Sequence, residues 1–170
     1  EDIAQPEVGG AVDPIRHLKE LARFSEYYAF LRTPETAPSP RIRERLERLN
    51  RLQVTVAYPF LLGVFADHAA GKLNEPAVVA VLDTLENYVV RRFVCGVPTY
   101  GLNKIFPPLY QSAVSAEGDF VGAVQKVLAA NPQHYPRDDT FRKQLTESRL
   151  YGGGERREDG VKGDQGIAGG

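Results

Sequence analysis

Apolar residues recur at helical spacing along most of the chain. The most periodic stretch begins at Asn74, and one of its faces carries Val78, Leu82, Leu85 and Val89. Residues three or four apart lie on one side of an α-helix, so this face is predicted to be buried. Comparable patterns predict further helices from residue 13, from 40 into the fifties, and over 102–114, 120–130 and 138–150. We therefore predict an all-α fold, a bundle of about six helices.

The first predicted helix carries a long apolar stripe. It is traced by Ile15, Leu18, Leu21, Ala22 and Ser25, and it is continued by Phe24, Tyr27, Tyr28 and Leu31. The apolar run 54–65 has a β-branched start, which is compatible with a strand, but its neighbours are helical. We interpret it as a buried helix that is kinked at Pro59, because proline lacks the N–H of a helix interior.

Capping residues mark where several helices begin and end. Asp13-Pro14 and Ser39-Pro40 each place a side-chain acceptor before a proline in the first helical turn. Gly96 follows the helix that starts at Asn74, and it is predicted to adopt a left-handed conformation there. Pro107-Pro108 is expected to interrupt the helix that begins near residue 102.

Composition changes at both ends of the chain define three segments. Residues 1–12 contain Pro6 and a Gly pair and are predicted to be a flexible lead-in, and residues 13–151 form one helical domain. Residues 152–170 are rich in glycine and poor in apolar side chains, so burial cannot offset the entropy of ordering them. We predict a disordered tail there. Because the chain contains no Met, residue 1 is not an initiator, and we expect a piece of a longer protein.

Composition excludes several classes of function. The net charge of −1 gives no overall attraction to nucleic acid or anionic lipid, so such binding would need a local patch. A single cysteine, Cys95, excludes an internal disulfide and multi-cysteine metal sites, and it suits a reducing cytoplasm. No apolar run approaches the roughly 20 residues that span a bilayer, so no membrane partner is expected.

Candidate catalytic groups are few. His17, His68 and His134 lie far apart and lack the spacing of a zinc site, so no metal site is predicted. Asp83 and Glu86 share a helix face, which we interpret as its solvated edge. Cys95 lies beside arginines that would lower its pKa, but the helix C-terminus disfavours a thiolate. We assign no catalytic residue and no cofactor to this chain.

Two groups of arginines are the candidate DNA-binding residues. Arg41, Arg45 and Arg48 recur at i, i+4 and i+7, which makes a basic stripe that could follow phosphates. Interleaved glutamates offer the alternative of a solvated face in which the charges pair with one another. Arg91 and Arg92 end the helix that begins at Asn74, where cations meet free carbonyls. For them we expect an anchored helix end first, and contact with phosphate or another domain second.

Three blocks carry a family resemblance. They are RLNRLQVTVAYPFLLGVF (48–65), YVVRRFVCGVPTYGLNKIF (88–106) and YPRDDTFRKQLTESRLY (135–151), of which the second is the most specific. With the residues around them, about 13–151, they resemble the helical middle region of the GmrSD-type modification-dependent restriction endonucleases. That resemblance implies a ParB-like nucleotide-hydrolysing domain before this region and an HNH nuclease domain after it.

The resemblance implies a function for the parent protein rather than for this chain. The parent would use a nucleoside triphosphate and a divalent metal to cut modified phage DNA, and neither catalytic signature occurs here. We therefore expect a non-catalytic scaffold whose partners are the nucleotidase and nuclease domains, with DNA as a further candidate partner. The alternative is a free-standing helical module that binds DNA or protein. The Gly-rich stretch from residue 152 departs from the family, which continues there in helix. A frame shift or a truncated gene would produce it; if it is natural, the protein lacks the nuclease.

Overall fold

The fold is all-α, as predicted. A computed structural model describes residues 13–116, 118–131 and 134–147, and in that part of the chain it contains helices and no strand. The seven α-helices are α1 (Pro14–Arg32), α2 (Pro40–Arg51), α3 (Tyr58–Ala69), α4 (Glu75–Val94), α5 (Leu102–Val114), α6 (Phe120–Ala129) and α7 (Asp138–Glu147). The predicted lead-in at 1–12 and tail at 152–170 lie outside the described residues.

The helices begin where the capping signals place them. The carboxylate of Asp13 accepts a hydrogen bond from the Ile15 amide at 3.0 Å, and the Ser39 hydroxyl accepts one from the Ile42 amide at 3.2 Å. Asn74 caps α4 in the same way at 2.9 Å. Each bond satisfies an amide that the first helical turn leaves free. These starts are fixed by local sequence alone.

Helix α4 lies at the centre of the core. Its predicted face is buried, and the helix packs against α2, α3, α6 and α7. Helices α3 and α5 pack against each other and add three buried phenylalanines to the core, Phe60, Phe65 and Phe106. The described domain is therefore built around one 20-residue helix, which spans about 30 Å at a rise of about 1.5 Å per residue.

Two expectations about proline are wrong. The run 54–65 is not one kinked helix: a 3-10 turn over Thr55–Ala57 leads into α3, and Pro59 lies in the first turn of α3, where its missing N–H costs nothing. Helix α5 continues through Pro107 and Pro108. Phe106 and Leu109 flank these prolines and are fully buried, so packing outweighs the lost hydrogen bonds.

The apolar stripe of α1 divides into two parts. Tyr27 and Leu31 pack into the core, but Ile15, Leu18 and Leu21 are 63%, 65% and 66% exposed. Every residue of α1 before Tyr27 is exposed. The amino-terminal half of α1 thus contributes no buried side chain to the described core.

The length and polarity of the helices can be compared with what a membrane span requires. Within residues 13–116, 118–131 and 134–147, none combines the length and the apolar character that crossing a bilayer requires.

Candidate functional site

Two arginines of the α2 stripe face α4. The stripe consists of Arg41, Arg45 and Arg48. Arg45 contacts Asp83 of α4 at 3.3 Å and Glu44 at 2.6 Å. Arg48 contacts Asp83 at 2.8 Å and Glu86 at 2.7 Å. The two guanidinium groups therefore join α2 to α4 through the carboxylates of Asp83 and Glu86, while Glu44 binds them from within α2.

This arrangement changes the interpretation of Asp83 and Glu86. Their spacing predicts a solvated helix edge, but both bind arginines of α2. Three carboxylates surround two guanidinium groups here, so the local charge is negative. A phosphate approaching Arg45 or Arg48 would meet repulsion from these carboxylates, which disfavours DNA contact at this edge.

Arg41 is the most accessible arginine of the α2 stripe. Its side chain is 62% exposed, and its closest ion-pair distance is 3.9 Å, to Glu75. An exposed pair at this distance contributes little. Arg41 can therefore turn toward a phosphate without breaking a close contact within the fold.

Arg92 lies inside the protein. It is 2% exposed, and its guanidinium donates to the Tyr88 hydroxyl at 3.2 Å and to the carbonyls of His134 at 3.1 Å and Pro98. It also lies over the Tyr88 ring, with 5.4 Å from its Cζ to the centroid. These acceptors are all neutral, although an arginine stays charged in proteins. Burial raises the pKa of Tyr88, and the positive charge of Arg92 opposes that shift.

Arg91 joins α4 to α7. Its Cζ lies over the rings of Tyr135 and Phe141, at 5.3 Å and 5.0 Å from their centroids, and its Nη2 lies 2.6 Å from the carboxylate of Asp138. It also donates to the Pro136 carbonyl at 3.2 Å. Cation–π contact with two rings helps to hold the guanidinium group in place.

The local sequence explains why the arginine pair, Arg91 and Arg92, can reach these acceptors. Gly96 has φ +66°, the predicted left-handed conformation. The Gly96 amide donates to the Phe93 carbonyl and the Val97 amide to the Arg92 carbonyl, which makes a Schellman motif. This turn brings the Pro98 carbonyl back to the Arg92 guanidinium. The helix end was predicted; its side-chain partners were not.

The partners of the arginine pair carry no signal in the sequence. His134, Tyr135 and Asp138 follow Arg92 by more than 40 residues. Tyr135 stacks on Tyr88 at 6.0 Å between ring centroids, and its hydroxyl donates to Asn87 at 3.2 Å. Because these contacts are distant in sequence, neither periodicity nor a motif identifies them.

Cys95 is half-buried beside the arginine pair. Burial raises the pKa of its thiol, and the opposing effect of Arg91 is smaller. A thiol with a raised pKa is a poor nucleophile at neutral pH, because the thiolate is the reactive form. Its environment is that of a packing residue.

A second polar cluster was not singled out from the sequence. Asp67 is 8% exposed and accepts from the Tyr110 hydroxyl at 2.8 Å and from Lys72 at 2.9 Å. Burial, and then the hydrogen bond and charge of Asp67, raise the pKa of Tyr110 to about 12. The Tyr110 ring lies against Gly63, where an added Cβ would come within 2.6 Å of it. The cluster joins α3 to α5.

The described residues offer little for a metal or cofactor. Within them, no three His, Cys, Asp or Glu side chains are grouped to hold a metal ion. A recess of about 490 Å³ lies beside Arg92, with apolar walls that include Val54, Val89 and Leu102 and the 70% exposed Phe93. Such walls suit an apolar group.

Comparison with known proteins identifies no relative. No family model, curated protein or solved structure matches the chain.

Proposed function

We propose that this chain is a non-catalytic helical scaffold, the connecting domain of a GmrSD-type restriction endonuclease. It would hold a nucleotide-hydrolysing domain and an HNH nuclease domain at a set separation. The observation that carries the proposal is the arginine pair. Arg91 and Arg92 link the end of α4 to the turn at Pro98, to His134 and to α7, so that separate segments move as one unit.

The resemblance and the contacts meet in the same residues. The block 88–106, which carries the resemblance most specifically, contains Tyr88, the arginine pair, Gly96 and Pro98. These residues build the anchored end of α4. An all-α architecture is also what the helical middle region of that family implies. The block is therefore better suited to an architectural role than to a chemical one.

In this proposal the chemistry belongs to the neighbouring domains. The nucleoside triphosphate and the divalent metal would bind there, and the complete protein would act in the cytoplasm against phage DNA. The role of the present chain is to transmit force or position between the two domains. Helix α4 is about 30 Å long. It can transmit a displacement from one domain to the other only if its ends are fixed.

The first test is the gene from which the chain derives. We expect one reading frame to encode an Asp-Gly and Gln-Arg signature upstream and an HNH motif downstream. A gene that encodes neither would overturn the proposal.

The second test uses the complete gene product with Arg92→Ala. We expect nucleotide hydrolysis to persist while nucleotide-dependent DNA cleavage is lost, because the rigid link between the domains is loosened. Arg51→Ala, an exposed arginine at the end of α2, is the matched control and should keep both activities. The end of α4 must be shown to be disordered in the Arg92→Ala variant. If that variant still cleaves DNA in a nucleotide-dependent way, the proposal is contradicted.

A free-standing interaction module is the second candidate function. It is favoured by the exposed apolar side chains Ile15, Leu18 and Leu21, since such side chains clustered on one surface mark interaction sites. The gene test separates the two candidates, because a free-standing module needs no catalytic domain in the same reading frame. The negative local charge around Arg45 and Arg48 argues for a protein partner rather than DNA.

A further inference from the structure

The amino-terminal half of α1 has no buried side chain to stabilise it. Residues 14–26 are all exposed, and an isolated helix of this length is marginal in water. Ile15, Leu18 and Leu21 keep about two thirds of their surface exposed. Covering them would supply the burial that this half of the helix lacks.

The uncovered face points away from the body. Tyr27 attaches α1 to the core, and Leu18 precedes it by nine residues. At 100° per residue, this separation places Leu18 on the opposite side of the helix. One helix therefore has two apolar faces, of which the body covers one.

The uncovered face follows a heptad pattern. Ile15 and Ala22 occupy a positions, and Leu18 and Ser25 occupy d positions. Ser25 is polar, but its hydroxyl donates to the Ala22 carbonyl at 2.6 Å, so its donor is already satisfied. A row of a and d positions like this one can pack against the same row on a second helix.

The flanking charges select one arrangement of two such helices. Lys19 and Glu26 are the e positions beside the seam, and Leu21 is a g position. In an antiparallel pair, e positions face e positions. In the register that places Leu18 beside Ala22 of the second copy, Lys19 faces Glu26, twice by symmetry, and the two Leu21 side chains meet at the two-fold axis. A parallel pair would instead place Leu21 against Glu26.

We propose that this surface binds a second copy of the chain, through an antiparallel α1–α1 pair in that register. The geometry gives the bodies room, because each body is attached near the carboxyl end of α1, and an antiparallel pair separates those ends. The interface is short and belongs to the smallest class, under about 1,200 Å². The dimer is accordingly weak and concentration-dependent.

Sedimentation of the full chain over a range of about 10 µM to 1 mM tests this pairing. We expect a monomer–dimer equilibrium that Leu21→Glu abolishes without changing the melting temperature. Leu145→Glu, at a 46% exposed leucine of α7, is the control and should dimerise like the parent chain. A monomer throughout the range would overturn the proposal and leave the face to another protein. A dimer that survives Leu21→Glu would overturn it as well.

Charge exchange tests the register. Lys19→Glu alone should raise the dissociation constant about tenfold, because two attractive pairs become repulsive. Adding Glu26→Lys should restore the constant to within about twofold. A double variant no tighter than the single one would exclude the antiparallel register.

The self-association experiment uses this chain alone. Its failure leaves the scaffold role untouched, and a gene without catalytic domains leaves the dimer untouched. The two proposals can therefore fail separately.

Discussion

The α2 stripe and the arginine pair look alike in sequence and differ in the structure. Both are arginines on helices with apolar neighbours, and both were candidates for DNA contact. Arg45 and Arg48 lie at a partly exposed edge and bind carboxylates, whereas Arg92 is buried and donates to two carbonyls and a hydroxyl. Exposure and acceptor type, rather than charge, separate a replaceable contact from one that the fold requires.

The largest effect is expected at Arg92. Arg92→Ala leaves buried acceptors unsatisfied and opens a cavity, so the free energy of unfolding should fall by about 3 kcal/mol or more. The melting temperature should fall by roughly 10 °C. Thermal or urea unfolding followed by circular dichroism measures this. Arg92→Lys is the control: it keeps the charge but loses the planar fork, so we expect an intermediate loss. A variant as stable as the parent would refute the difference between the two groups.

Arg91 should give a smaller and local effect. Its partner Asp138 is 67% exposed at the side chain, so most of the contribution comes from the two rings. We expect Arg91→Ala to cost about 1 to 2 kcal/mol. Amide hydrogen exchange should accelerate in α7 while the middle of α4 stays protected. Uniform acceleration across the domain would show that Arg91, like Arg92, is needed for the whole fold.

The α2–α4 edge should tolerate substitution. Asp83→Ala removes an acceptor from Arg45 and Arg48, but Glu44 and Glu86 remain. The cost in unfolding free energy should be below about 1 kcal/mol, and it should shrink further at high salt. Denaturant unfolding at two ionic strengths measures it. If Asp83→Ala lowered the free energy of unfolding as much as Arg92→Ala does, the proposed difference between the two groups of arginines would be wrong.

Arg41 should have the smallest effect on stability, within about 0.5 kcal/mol, because its single ion pair is long and exposed. It is also the member of the α2 stripe that is open to phosphate. If the domain binds DNA through that stripe, Arg41→Ala should lower the salt slope by about 0.9. Filter binding at several salt concentrations measures this. An unchanged slope would remove Arg41 from the candidates.

Structural features that depend only on residues close in sequence could be predicted. Asp13, Ser39 and Gly96 act on backbone groups within a few residues, so capping and the left-handed turn could be predicted. The buried face of α4 followed from periodicity. The all-α fold follows from these signals together.

The remaining features depend on contacts between distant residues. Helix α5 survives Pro107 and Pro108 because its neighbours α3 and α6 bury it. Arg92 could be recognised as part of a helix end, but not as buried, since His134 lies in another segment. The exposed face of α1 has the same apolar pattern as a core face, and periodicity alone does not distinguish them.

The contact between Arg92 and His134 also has a consequence for synthesis. Chains grow from the amino terminus, so α4 emerges from the ribosome well before the residues that accept its guanidinium. Until residue 134 is available, closing the core around Arg92 would bury a charge that still lacks one of its acceptors. The nascent domain should thus complete its packing only after that segment has been made. A released chain truncated after residue 125, which lacks the His134 carbonyl, should remain sensitive to protease near the end of α4.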